Sequence, residues 1–221
     1  MLEKIFAPEI VKETPQKMSY EEYLALPHEG GLIEWVDGEV IFHMSAKPIH
    51  QFIVDYLTLL LKSFSSFFSL GTVISSPVEV RCNPDGNARE PDVLFLSADH
   101  LDRIGESRIN GAPDLIVEVI SDDSVARDLD DKFFEYQECG VPEYWIIDPR
   151  PRRERALFYQ LGADGRYKTI LPQEGIYHSK AIPGFWLRVE WLWEQPDPLL
   201  TVMEIAGFAK QAGELRDLKN R

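Results

Sequence analysis

Asp92, Glu118 and Lys132 are the residues whose types and spacing could do chemistry together. Glu118 interrupts Leu115-Ile116-Val117-Glu118-Val119-Ile120, an apolar, β-branched run opened by Pro113-Asp114 and closed by Ser121, and such a run reads as a strand. Side chains alternate along a strand, so Glu118 shares a face with Ile116 and Ile120. With apolar residues on both faces, the strand is expected inside a sheet. A carboxylate there is costly unless it is paired, protonated or metal-bound. Asp92 opens a second apolar run, Val93 to Leu96, 26 positions before Glu118, and Lys132 follows Glu118 by 14 positions. Two carboxylates and an ammonium suit metal-assisted phosphodiester hydrolysis. Hard oxygen ligands hold Mg²⁺ or Mn²⁺, which polarise a phosphate and activate water. The lysine would position that water or screen the developing charge.

These residues need elements to position them. Ser19 with Glu22 forms a capping box that starts a short helix, and Pro27 is expected to end it. Leu32–Val36 and Glu39–Phe42 flank Asp37-Gly38, a strong hairpin signal. Ile49, Phe52, Ile53, Tyr56, Leu57, Leu60, Leu61 and Phe64 form the stripe of a long amphipathic helix, stopped by Gly71. Strands are expected at Thr72–Ser75 and Val78–Cys82, then at Pro91–Leu96, where Glu90 is held extended by the proline after it. A short helix over Ala98–Ile104 leads to the strand of Glu118. A helix over Asp128–Cys139 follows, with Gly140 as its C-cap. Leu129, Phe133 and Tyr136 read as its buried stripe, with Lys132 at the stripe's edge. Tyr144–Ile147 is a further apolar strand, Leu157–Leu161 and Tyr167–Leu171 form a hairpin, and an irregular aromatic segment follows. This order predicts an α/β or α+β sheet with helices on its faces. Residues 1–17 read as a poorly ordered arm and the stretch from Pro198 to Arg221 as a helical tail.

The totals exclude several classes. The 221 residues are enough for one sizeable core and the composition is that of a globular chain. A net charge of −14 argues against strong non-specific affinity for nucleic acid or anionic lipid over the whole surface, though not against a metal-neutralised cleft. Cys82 and Cys139 match no metal-ligand spacing and are expected as reduced thiols in a soluble cytoplasmic protein. No Walker loop, zinc spacing, dinucleotide fingerprint or Gly-x-Ser-x-Gly elbow occurs.

The landmarks together resemble the PD-(D/E)XK nuclease superfamily and, within it, the Uma-type restriction endonucleases. They are Ser19-Tyr20-Glu21-Glu22-Tyr23-Leu24, Glu34 with Asp37-Gly38-Glu39, His50, Arg89-Glu90-Pro91-Asp92, Ala112 to Ser121, Lys132, Tyr136, Gly140 to Pro149 and Pro183-Gly184-Phe185. They span roughly residues 18–190. The resemblance implies a restriction-endonuclease-like core over 18–197, with a mixed central sheet flanked by helices, an N-terminal hairpin and a C-terminal β extension. It also implies Mg²⁺-dependent cleavage of DNA, with Asp92, Glu118 and the Val119 carbonyl as metal ligands and Glu34 as a further acidic partner. A homodimer is expected, because cutting both strands takes two sites. The chain departs from the parent motif in carrying Ile120 where the lysine normally stands, and the role falls to Lys132. Asp122-Asp123 also replaces the more usual Pro-Ser after the strand.

Blander readings stand beside these. Lys132 could pair with Asp128 and Glu135 on a helix surface, Glu34 could face water, and His50 could be a capping residue. Ser121 and Asp148 flank the expected site and read equally well as structural. The acidic charge is also compatible with a catalytically inactive member that keeps the fold as an interaction or regulatory protein. The residues do not choose between DNA and RNA.

Overall fold

Alternation along one strand divides the core around the central sheet into two. The computed structural model describes residues 16–26, 33–42, 47–121, 124–125 and 127–219. The strands are β1 (Gln16–Lys17), β2 (Ile33–Val36), β3 (Glu39–Phe42), β4 (Gly71–Ser75), β5 (Val80–Arg81), β6 (Ala88–Arg89), β7 (Val93–Ser97), β8 (Ile109–Asn110) and β9 (Leu115–Val119). They continue with β10 (Glu143–Asp148), β11 (Arg155–Leu161), β12 (Tyr167–Thr169), β13 (Ile176–His178) and β14 (Trp186–Arg188). The helices are α1 (Tyr20–Leu24), α2 (Pro48–Phe67), α3 (Lys132–Cys139), α4 (Trp191–Glu194), α5 (Pro198–Ile205) and α6 (Ala209–Lys219).

The central sheet has the order β12-β11-β10-β9-β7-β4. Its β9–β10 pair is parallel and its other pairs are antiparallel. Val93, Phe95, Leu115, Val117, Val119, Trp145 and Ile147 pack from one face onto the stripe of α2. Leu94, Leu96, Ile116, Ile120, Tyr144 and Ile146 pack from the other face with Tyr136 of α3. Both faces are covered, as expected for an apolar strand such as β9.

A second sheet, ordered β1-β3-β2-β6-β5-β8, stands beside the first. Its β2–β3 hairpin turns at Asp37 and Gly38, both at positive φ, which is the backbone that a tight two-residue hairpin loop requires. The two-residue strands β6 and β8 carry too few residues to show a period in the sequence. The aromatic segment is not irregular: β13 and β14 pair, and α4 follows.

Two expectations need correcting. Of the arm expected over 1–17, residues 1–15 lie outside the described residues, but Gln16–Lys17 is a strand paired with β3. Cys82 and Cys139 are not free thiols: they form a disulfide, with Cα atoms 5.6 Å apart and a sequence separation of 57. Spacing along the chain carried no hint of this, because only the packing of α3 beside β5 brings the two together. Pro27, expected to stop α1, and Asp122-Asp123 lie outside the described residues. Among the described residues, no helix is long and apolar enough to cross a membrane.

Candidate active site

The register of β7 against β9 builds the site. Val93 stands opposite Val117, and Asp92, the residue just before β7, reaches β9 through its side chain. The Val119 N–H donates to Asp92 Oδ2 over 2.7 Å. His50, in the first turn of α2, puts Nε2 3.3 Å from that same oxygen. Burial opposes a charged His50 ring, but Asp92, Asp128 and the Val119 carbonyl outweigh it and raise its pKa above the ordinary value.

Lys132 reaches the same region from the opposite direction. Its Nζ donates to Glu118 Oε1 over 2.9 Å and lies 3.2 Å from Glu34 Oε1 and 3.5 Å from Asp128 Oδ1. Tyr136, one turn further along α3, donates its hydroxyl to Glu118 Oε1 over 2.9 Å. Asp128, Lys132 and Tyr136 recur every four residues and so form one ridge. All three are buried, whereas Leu129 and Phe133 are only partly so. Lys132, expected at the stripe's edge, is therefore part of the buried ridge and not a surface ion pair.

Glu34 does not face water, since it is 0 % exposed. Its Oε1 accepts the Glu90 N–H over 3.1 Å besides facing Lys132, and its Oε2 pairs with Arg89 Nη1 at 3.1 Å. Arg89 in turn holds Glu135 of α3 through Nε and Nη2. Sequence reasoning missed Asp128, Arg89, Glu90 and Glu135 as members of this nest. The four-residue repeat through Lys132 was the available signal for Asp128.

The buried carboxylates Glu34, Glu90, Asp92, Glu118 and Asp128 outnumber the buried cations Lys132 and Arg89. Burial comes first in the shifts of the nest, and that excess second. Burial raises the Glu118 pKa well above its usual value, Lys132 pulls it back, and Asp128, Asp92 and Glu34 push it up again. Burial alone would lower that of Lys132, but Glu118, Glu34 and Asp128 raise it well above the ordinary range and so hold the ammonium. Glu90, buried and facing Glu34, rises to about 7. A divalent cation would relieve the same imbalance without protons.

The donor set is compatible with such an ion. Among the described residues, the bonds made by Asp92 and Glu118 fall on Oδ2 and Oε1 respectively, which leaves the second oxygen of each carboxylate. No three His, Cys, Asp or Glu side chains among the described residues form a closed metal cage. Mg²⁺ in general uses one or two carboxylates, keeps several waters and takes substrate phosphate oxygens. Of the flanking candidates, Ser121 donates its N–H to Ser124 Oγ at 3.0 Å and so touches the nest. Asp148 does not join it, because Arg150 and Arg155 hold its carboxylate.

Comparison with known families matches residues 20–190 to Uma2, described as "Putative restriction endonuclease". Among solved structures, a "putative nuclease belonging to DUF820" from Anabaena variabilis is similar in fold, with a TM-score of 0.64 at 16 % sequence identity. The match covers 79 % of this chain and 96 % of that one. No curated protein matches.

Proposed function

Because this chain belongs to the Uma2 family, we propose that it is a divalent-metal-dependent endonuclease that hydrolyses phosphodiester bonds of DNA. The observation that carries this is Asp92 bonded to the Val119 N–H, the residue after Glu118 on β9, with a buried ammonium from α3 against Glu118. In the proposal Asp92, Glu118 and the Val119 carbonyl hold Mg²⁺ or Mn²⁺. When bound, the ion supplies Lewis acidity toward the scissile phosphate and lowers the pKa of a bound water.

The chain's own groups do the rest. Val119 N–H and His50 orient the Asp92 carboxylate through its Oδ2. Tyr136 and Lys132 hold Oε1 of Glu118, and Lys132 adds a fixed positive charge where negative charge grows on the phosphate. We assign the attacking water to Lys132 for its orientation. We give Glu34 to the lysine in preference to the metal, because both of its oxygens are already engaged. A homodimer acting in the cytoplasm on duplex DNA is the form we expect.

The test is Mg²⁺- or Mn²⁺-dependent nicking of a supercoiled plasmid, with Asp92→Ala and Glu118→Ala as folded controls. Metal-dependent nicking lost in both variants supports the proposal. No cutting of DNA or RNA in any divalent metal, together with no Mn²⁺ heat of binding, would leave the non-catalytic reading that the acidic charge favours.

A further inference from the structure

We propose that Asp128 is the positioning residue for Lys132, fixing the ammonium against Glu118 by tying the start of α3 to the end of β9. The inference rests on the reading of Lys132 as a group of the hydrolytic site. An ammonium has three donors and no acceptor, and three carboxylates surround this one: Glu118 at 2.9 Å, Glu34 at 3.2 Å and Asp128 at 3.5 Å. Glu118 and Glu34 belong to strands of the two different sheets. Asp128 lies on the lysine's own ridge, in the wide helical turn Arg127–Asp131 that runs into α3.

What fixes Asp128 is a chain of bonds from β9. Ser121, just past that strand, donates its N–H to Ser124 Oγ, and the Ser124 hydroxyl donates to Asp128 Oδ2. Tyr144 of β10 donates its hydroxyl to the Asp128 carbonyl over 3.0 Å. Asp128 Oδ1 is buried without a hydrogen-bond partner, and the lysine ammonium is the cation beside it. The chain therefore begins on the strand of Glu118 and ends on the lysine that Glu118 accepts from.

Stability alone gives no reason for this third carboxylate. Glu118 and Glu34 already neutralise Lys132, and a further buried acid adds desolvation and like-charge cost. Asp128 is 1 % exposed and Lys132 2 %, so neither recovers that cost by solvation. Geometry is what Asp128 supplies: without it the ammonium has partners only on the sheet side and can lean away from the scissile position. Small displacements of a positioned group cost on the order of 100-fold in rate.

The test uses the full chain labelled with ¹⁵N-lysine, free of metal and DNA. A buried ammonium held by three carboxylates exchanges slowly, and its ¹H–¹⁵Nζ signal is identified by its loss in Lys132→Met. Asp128→Asn, close in size, should shift and broaden that signal. Ser124→Ala, which frees Asp128 Oδ2, should do the same more mildly and stands in if the first variant fails to fold. In plasmid nicking, kcat of Asp128→Asn should fall on the order of 100-fold with KM for DNA unchanged. An unchanged Nζ signal in the folded variants overturns the proposal, whether or not the protein cuts DNA. So does an Asp128→Asn kcat equal to that of a wild type that cuts. A wild type that cuts nothing while the signal still responds leaves the positioning role standing and removes the nuclease reading.

Discussion

Lys132 donates to Glu118 over 2.9 Å with both side chains buried, although they sit 14 residues apart on different elements. Breaking a buried pair by removing one partner leaves the other charge uncompensated and costs about 3–5 kcal/mol. Lys132→Met strands the acids Glu118, Glu34 and Asp128 together, so it should be the more damaging single change. Glu118→Gln removes one acid from an overcrowded nest and should cost less. Urea unfolding of both variants and of the double variant measures this, and the double variant should recover part of the Lys132→Met loss. A Lys132→Met protein as stable as wild type would contradict it.

Glu90 contributes a pH dependence that one variant isolates. Burial, with Glu34 beside it, raises its carboxyl from 4.5 to about 7 in the folded chain. A raised folded pKa means that the native state binds the proton more tightly than the unfolded state. The contribution is therefore fully present below about pH 4.5 and lost as pH rises to about 7. Over that window the wild type should lose roughly 3 kcal/mol relative to Glu90→Gln. Urea midpoints of the metal-free proteins at pH 5, 6, 7 and 8 check this. Parallel profiles for the two proteins would show that Glu90 is not the titrating group.

Part of this nest was legible in the sequence, for reasons that differ residue by residue. Strand parity put Glu118 on the Ile116 and Ile120 face, where the structure has it, because a strand buried on both faces has no freedom to rotate. The Asp37-Gly38 turn and the stripe of α2 were equally plain, since local backbone demand and a long period fix them. Glu34 was not, because alternation within a four-residue strand says which residues share a face but not which face is covered. Lys132 was read as a site residue at the edge of its helix's stripe, but Asp128 entered only as its partner in a surface ion pair, because charge on a helix is usually solvated and only the carboxylates facing it reveal the exception. The disulfide and the strands β6 and β8 depend on contacts between distant segments, which no local pattern encodes.

Metal binding should be visible as stability. At pH 8 the excess of buried carboxylates is least relieved by protons, so saturating Mn²⁺ should stabilise the native chain most there. An ion at about 100 times its Kd adds about 2.7 kcal/mol, which for a domain of this size raises Tm by about 5–10 °C. The rise should shrink toward pH 5 and vanish in Asp92→Asn and Glu118→Gln. An equal rise in those variants would move the ion elsewhere on the protein.

The Cys82–Cys139 bond bridges the end of β5 to the last residue of α3, the helix that begins with Lys132. Closing a loop of 57 residues restricts the unfolded chain and should contribute about 4 kcal/mol. In a reducing compartment this bond would open, leaving two thiols and lower stability. Urea unfolding of the oxidised protein, the reduced protein and the Cys82→Ser/Cys139→Ser variant separates the cases. Reduced and double-serine proteins should unfold at similar, lower midpoints, and both should still fold, because the apolar contacts of α3 with the sheet involve Tyr136 and Phe133 as well as the disulfide. Midpoints that do not move on reduction would mean that the two sulfurs are unbonded in solution, and counting free thiols under denaturing conditions would establish that directly.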